Sequence, residues 1–177
     1  CLLVVDAEEG ITRQDAHVAG YAWDAGRAVA IVVNKWDLVE DRGDARAQIE
    51  DSIARHLKFI RHSPVVFLSA LTGLGVHKLF PIMESLYAAH RARHATSDLN
   101  RILKTAWERT PPSVPGRRAP NLFDTTQVGS GPPRFVLFTN LKIEPHFSYL
   151  RYLENTLREA LGLEGVPIRV MIKARPH

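Results

Sequence analysis

One cysteine, Cys1, occurs in 177 residues. No intrachain disulfide can form, and a reducing compartment, the cytoplasm, is the expectation. No apolar run approaches the roughly 20 residues that cross a bilayer, so no membrane segment is expected. A charged-then-apolar leader is missing from the start. So is an initiator Met: "CLLVVDAEEG" opens inside what reads as a central strand. A sheet beginning there has a ragged edge, which folds avoid. The chain is therefore expected to be a piece of a longer protein, missing its N-terminal part. No internal repeat is visible.

What is present is a chain 45% hydrophobic, enough for one large or two small cores. Its net charge of +4 is uneven. Residues 1–95 hold 11 Lys and Arg against 12 Asp and Glu, whereas residues 96–177 hold 12 against 7. The basic second half points mildly to an anionic partner, RNA first.

The first half alternates apolar strands with helices. "LLVVDA", "RAVAIVVN" and "SPVVFLSA" read as strands buried on both faces. Between the first two, Ile11 to Ala25 reads as a helix capped by Thr12, with Gly26 just past its end. A polar helix from about Asp41 carries Ile49, Ile53 and Leu57 at spacings of four. "TGLG" turns into a helix with Leu79, Ile82, Met83, Leu86 and Tyr87 as its apolar stripe. This order predicts an α/β parallel sheet flanked by helices, with ligands bound beyond the carboxyl ends of its strands.

The pattern changes near residue 95, dividing the chain into 1–95 and 96–177. "TSDLNRILKTAWERT" reads as a helix with Leu99, Ile102, Leu103, Ala106 and Trp107 on one face, and "PPSVPGRRAPN" as a mobile loop. Strands follow at about Asp124–Val128 and Arg134–Asn140, then a helix with Leu150, Leu153, Leu157 and Leu161 inward, stopped by Gly162. "PIRVMIKA" is the last strand. The expectation is a small α+β unit in the order α-β-β-α-β.

The chemistry concentrates in "AIVVNKWDLVE". A buried strand there delivers an amide, an ammonium and a carboxylate to one turn: Asn34, Lys35 and Asp37, around Trp36. Guanine presents adjacent N1–H and N2–H donors beside the O6 acceptor. A carboxylate matches the two donors in a charge-assisted pair. An amide can serve the ring's acceptors, and a lysine stem can lie across the base. Ser69, Ala70 and Leu71 end the next strand, and the Ala70 N–H could meet O6. Adenine would turn a lone pair toward Asp37 and be rejected by roughly 10⁴-fold or more. The bland alternative is a strand-to-helix turn with Asp37 as a helix cap.

Asn34-Lys35-Trp36-Asp37 resembles the NKxD base-specificity motif of the P-loop GTPases, and Ser69-Ala70-Leu71 resembles their SAx loop. More closely, "DAEEGITRQDAHVAGYAWDAGRAVAIVVNKWDLVE", "SALTGLGVHKLF" and "TQVGSGPPRFVLFTN" look like the Der (EngA) family of tandem bacterial GTPases. The likeness runs from the second GTPase domain through the C-terminal KH-like domain. It implies a G-domain portion over 1–95, a KH-like domain over 96–177, GTP or GDP as ligand, and a monomer acting in assembly of the large ribosomal subunit with rRNA as partner. Hydrolysis needs a phosphate cradle and Mg²⁺. No G-x-x-x-x-G-K-S/T occurs in these 177 residues, so no catalytic residue and no metal ligand is assigned here. The piece alone is expected not to hydrolyse GTP. A non-enzymatic RNA- or ribosome-binding module with a vestigial pocket is the alternative.

RNA-clamping KH modules carry a GXXG loop. "GSGPP" has no such spacing, and the second half is expected to lack that loop, which argues against the Era family. Four smaller features have plainer readings. Asp6 with Glu8 and Glu9 reads as a solvated loop, and His90 with His94 as a solvent-facing helix end. Phe147, Tyr149 and Tyr152 read as packing residues. Arg117-Arg118 fits equally a phosphate grip or a solvated loop.

Overall fold

The computed structural model describes residues 1–113, 120–141 and 145–175. Arg117-Arg118 and most of the Pro-rich loop lie outside the described residues. By contacts the chain divides into two units, Cys1–Ala89 with Glu164–Pro167, and His90–Leu163 with Ile168 onward. The sequence pattern placed the change at 95/96.

In the first unit β1 (Leu2–Asp6), β2 (Ala30–Asn34) and β3 (Val65–Phe67) form a parallel sheet in the order β1-β2-β3. β2 is central and its first four residues are buried, as an uninterrupted apolar run requires. Burying each such Val or Ile stabilises the fold by roughly 1.5–3 kcal/mol. β3 is shorter than its sequence suggests, yet Leu68 still donates to Val33 O at 2.9 Å.

The helix α1 (Arg13–Asp24) starts at a capping box, with Thr12 and Asp15 bonding each other's backbone N–H. Asp41 caps α2 (Arg42–His56) through the N–H groups of Gly43 and Asp44. Ile49, Ile53 and Leu57 bury against the sheet as expected. On the opposite face α3 (Leu79–Arg91) sets Leu79 and Ile82 against Val32, Val66 and Leu68. The expected stripe is too wide, for Met83 and Tyr87 are 43% and 65% exposed. Val32, Val66 and Leu68 meet the Leu79 and Ile82 side of the helix instead.

The second unit runs α4 (Thr96–Arg109), β4 (Leu122–Gly129), β5 (Arg134–Thr139), α5 (Phe147–Leu161), β6 (Arg169–Ala174). The sheet order is β4-β5-β6, with β4/β5 antiparallel and β5/β6 parallel. Leu99, Leu103, Leu153 and Leu157 are fully buried between helices and sheet. Tyr149 and Tyr152 donate from α5 to Thr110 O and Ala106 O of the α4 end, so both are packing residues. Phe147 is not, at 63% exposed.

Two further readings are corrected. His94 does not face solvent on a helix end: it lies beyond α3, half-buried, with its N–H donating to Gln127 Oε1 at 2.8 Å. The expected absence of G-x-x-G spacing fails at Gly162-Leu163-Glu164-Gly165. These residues nonetheless make no open clamp. Gly162, at φ 63°, ends α5, and Leu163 is fully buried. Gly165, which belongs to the first unit together with Val29, accepts from the Val29 N–H through its carbonyl, and a Cβ there would sit 2.6 Å from Val29 O.

Candidate functional site

The site is made where β1, β2 and β3 end. Register places Asp6 beside Asn34 at the carboxyl ends of β1 and β2. Past Asn34 the backbone reverses at Lys35, which holds φ 61°, an uncommon conformation for a residue with a Cβ. The turn closes through Leu38 N–H to Lys35 O at 3.1 Å, and Trp36 N–H bonds Leu68 O at 3.0 Å. Trp36 then buries its ring against Phe67, centroids 4.5 Å apart. Its side chain belongs to the core and not to a ligand.

Burying Trp36 between them leaves Lys35 exposed and Asp37 half-buried. Lys35 Nζ pairs with Asp6 Oδ2 at 2.6 Å. That ammonium and the Glu8 N–H hold the Asp6 carboxyl below its ordinary value, while Asp6 raises Lys35. Asp6 therefore anchors the lysine. The sequence alone shows a solvated loop carboxylate here, because the pairing depends on β1 and β2 being neighbours. Asp37 has no hydrogen-bond or ion-pair partner among the described residues. It does not cap a helix, since α2 starts later and takes Asp41.

The second loop follows β3. Ser69 is 1% exposed; its Oγ accepts from Thr72 N–H at 3.1 Å and its N–H donates to Leu74 O at 2.9 Å. Ser69 thus shapes its own loop, and Leu71 is 89% exposed. Gly75 closes the loop at φ 74°, where a Cβ would stand 2.6 Å from Phe67 O. Ala70 N–H, expected to be open toward a base, donates to Asn34 Oδ1 at 2.9 Å. That bond ties the two loops together and leaves the Asn34 NH₂ group as the outward donor. Among the described residues, no group of three or more His, Cys, Asp or Glu could hold a metal ion.

This geometry meets the comparisons. Residues 1–89 match the elongation factor Tu GTP binding domain family. Residues 1–89 thus belong to a family of GTP-binding domains. Residues 93–173 match the KH-domain-like family of EngA bacterial GTPase enzymes, C-terminal.

The chain is 44% identical over 174 residues to GTPase Der of Pelotomaculum thermopropionicum. It is 45% identical to GTPase Der of Syntrophotalea carbinolica and 44% to that of Bacillus cytotoxicus. Each alignment covers 98% of this chain and 40% of the relative. The chain belongs to the Der (EngA) family of GTPases. It spans about 40% of the length of those curated relatives. Among solved structures, an Aquifex aeolicus Era variant bound to GDP and aluminium fluoride aligns over 99% of this chain and 65% of its own. The two share 18% identity with a TM-score of 0.40. No helix among the described residues is long and apolar enough to cross a membrane.

Proposed function

We propose that residues 1–95 carry the guanine-reading part of a GTP-binding switch whose complete protein hydrolyses GTP and acts in assembly of the large ribosomal subunit, with residues 96–177 as its KH-like domain. One observation carries the first half of this: Asn34 Oδ1 ties the Ala70 loop to the turn that holds Asp37, whose half-buried carboxylate has no partner among the described residues. Two N–H donors side by side on a purine edge satisfy that carboxylate. The Asn34 NH₂ faces the ring's acceptors, and Lys35, fixed by Asp6, offers its stem to the base. Mg²⁺ would serve the phosphates, and no ligand to it is assigned among these residues. The ribosomal half rests on family membership and on the basic second half.

The test is Asp37→Asn in the complete gene product, titrated with guanosine and xanthosine diphosphates. Guanosine binding should weaken by at least tenfold, the order expected when a buried charged hydrogen bond is lost, and xanthosine binding should improve. Unchanged guanine preference removes Asp37 from the site. Co-sedimentation with large ribosomal subunits should depend on nucleotide state and fall steeply with salt. Binding indifferent to nucleotide would mark a non-enzymatic module instead.

A further inference from the structure

The outer edge of β3 is open among the described residues, because β3 pairs only with β2. Pro64 O accepts from Ile31 N–H and Leu68 N–H donates to Val33 O, so Pro64, Val66 and Leu68 face β2. By the alternation of a strand, Val65 turns its N–H and C=O and Phe67 its N–H outward, while the Phe67 carbonyl faces Gly75. The open edge lies in a groove of about 610 Å³ between α2 on one face and the Val76–Lys78 turn on the other.

The walls of this groove carry one sign of charge. Among the described residues Arg42 and Arg46 line it from α2 and Lys78, beside His77, from the opposite side, and no carboxylate does. Arg46 lies over the Phe67 ring at 4.9 Å with its Nε held by Glu50. This basic groove sits in the half of the chain whose net charge is negative. Open edges invite strand addition, and a cationic rim selects an acidic strand.

We infer that the β3 edge is a docking groove for an extended acidic peptide of a partner protein, added as a fourth strand beside Val65 and Phe67. A nucleic acid fits less well. Trp36 is buried and Arg46 covers Phe67, so neither ring offers a free face for stacking, and outward backbone groups are matched by a peptide. This inference does not depend on what the loops at Asn34 and Ala70 bind.

The experiment uses the 177-residue chain and two fluorescent probes, a ten-residue peptide alternating Glu with Val, and dodecauridylate. The peptide is expected to bind and to slow amide exchange at Val65 and Phe67. Arg42→Glu with Lys78→Glu, both on exposed positions, should weaken it at least tenfold while circular dichroism stays unchanged. Backbone N-methylation of alternate peptide residues should weaken it as much. No peptide binding, binding without protection of the Val65 and Phe67 amides, or preferential binding of dodecauridylate through the same two cations would each overturn the proposal.

Discussion

The two units spend their polar side chains in opposite ways. In the first, polar groups gather at strand ends and bond between loops: Asn34 to the Ala70 loop, Lys35 to Asp6, with Asp37 left over. In the second they are drawn into packing. Trp107 Nε1 donates to Pro120 O, and Asn100 bonds both Asp124 and the Thr125 N–H. Gln127 joins Ala92 O to the His94 N–H, and two tyrosines hold α5 to α4. These bonds give the second unit a fixed shape, although His94 Nε2 and Thr125 Oγ1 are buried there without a hydrogen-bond partner among the described residues. A unit that leaves a carboxylate half-buried without a partner keeps a place for something else to complete it.

The largest effect separating the two should come from the second unit's core. Leu157 is fully buried on α5, so Leu157→Ala should cost about 2–5 kcal/mol through lost transfer energy and the cavity left behind. Amide exchange of the β4-β5-β6 residues under mild denaturant would measure it. Asp37→Asn, by contrast, should leave stability within about 0.5 kcal/mol, as surface changes usually do. A comparable loss at Asp37 would mean that its carboxylate is structural, and the contrast between the units would break.

Next comes the tie between the loops. Asn34→Ala deletes the acceptor of the Ala70 N–H, which should cost about 1 kcal/mol. Its signature is local, in faster exchange of the Ala70 amide and weaker guanine nucleotide binding in the complete protein. Ala70 exchange that stays at its original rate would show that the loops are held by something other than this bond.

How much of this was legible beforehand follows from the range over which each feature is determined. The strands, the Thr12 cap, the Ile49-Ile53-Leu57 face and the α-β-β-α-β order are set by residues within a few positions of one another, and sequence showed them. The candidate turn was visible because Asn34, Lys35 and Asp37 are adjacent. Asp6 as the anchor of Lys35 was not visible, since it needs the β1–β2 register across 28 intervening residues. Nor could sequence show that Ala70 N–H would be occupied or that Met83 and Tyr87 would be exposed. The burial of His94 depends on Gln127, 33 positions on. The G-x-x-G at Gly162 to Gly165 shows the converse, a local pattern whose meaning is decided by distant contacts with Val29, Pro64 and Leu86.

The smallest expected effect is the response to acid, and it too should divide the units. His94 is held below its ordinary value of 6.5, first by burial, with Asp98 opposing. The folded chain therefore resists the proton that the unfolded chain accepts. The stability this contributes is present above pH 6.5 and is lost as pH falls toward the lowered folded value. Glu154 runs the other way. Burial raises it above its ordinary 4.5 against Arg158 and Arg169, so its ionised form costs stability above pH 4.5 and acidification through the raised value restores it. Asp6 in the first unit is lowered from 3.8, chiefly by Lys35, so its contribution is intact at higher pH and lost only as pH falls below 3.8. On titration down from neutrality, exchange of second-unit amides should quicken below pH 6.5 while first-unit amides hold until much lower pH, after correction for intrinsic rates. His94→Gln should flatten the first step and Glu154→Gln the later recovery. If the early softening persists in His94→Gln, the half-buried imidazole is not its source, and its burial does not carry the acid sensitivity that sets the second unit apart from the first.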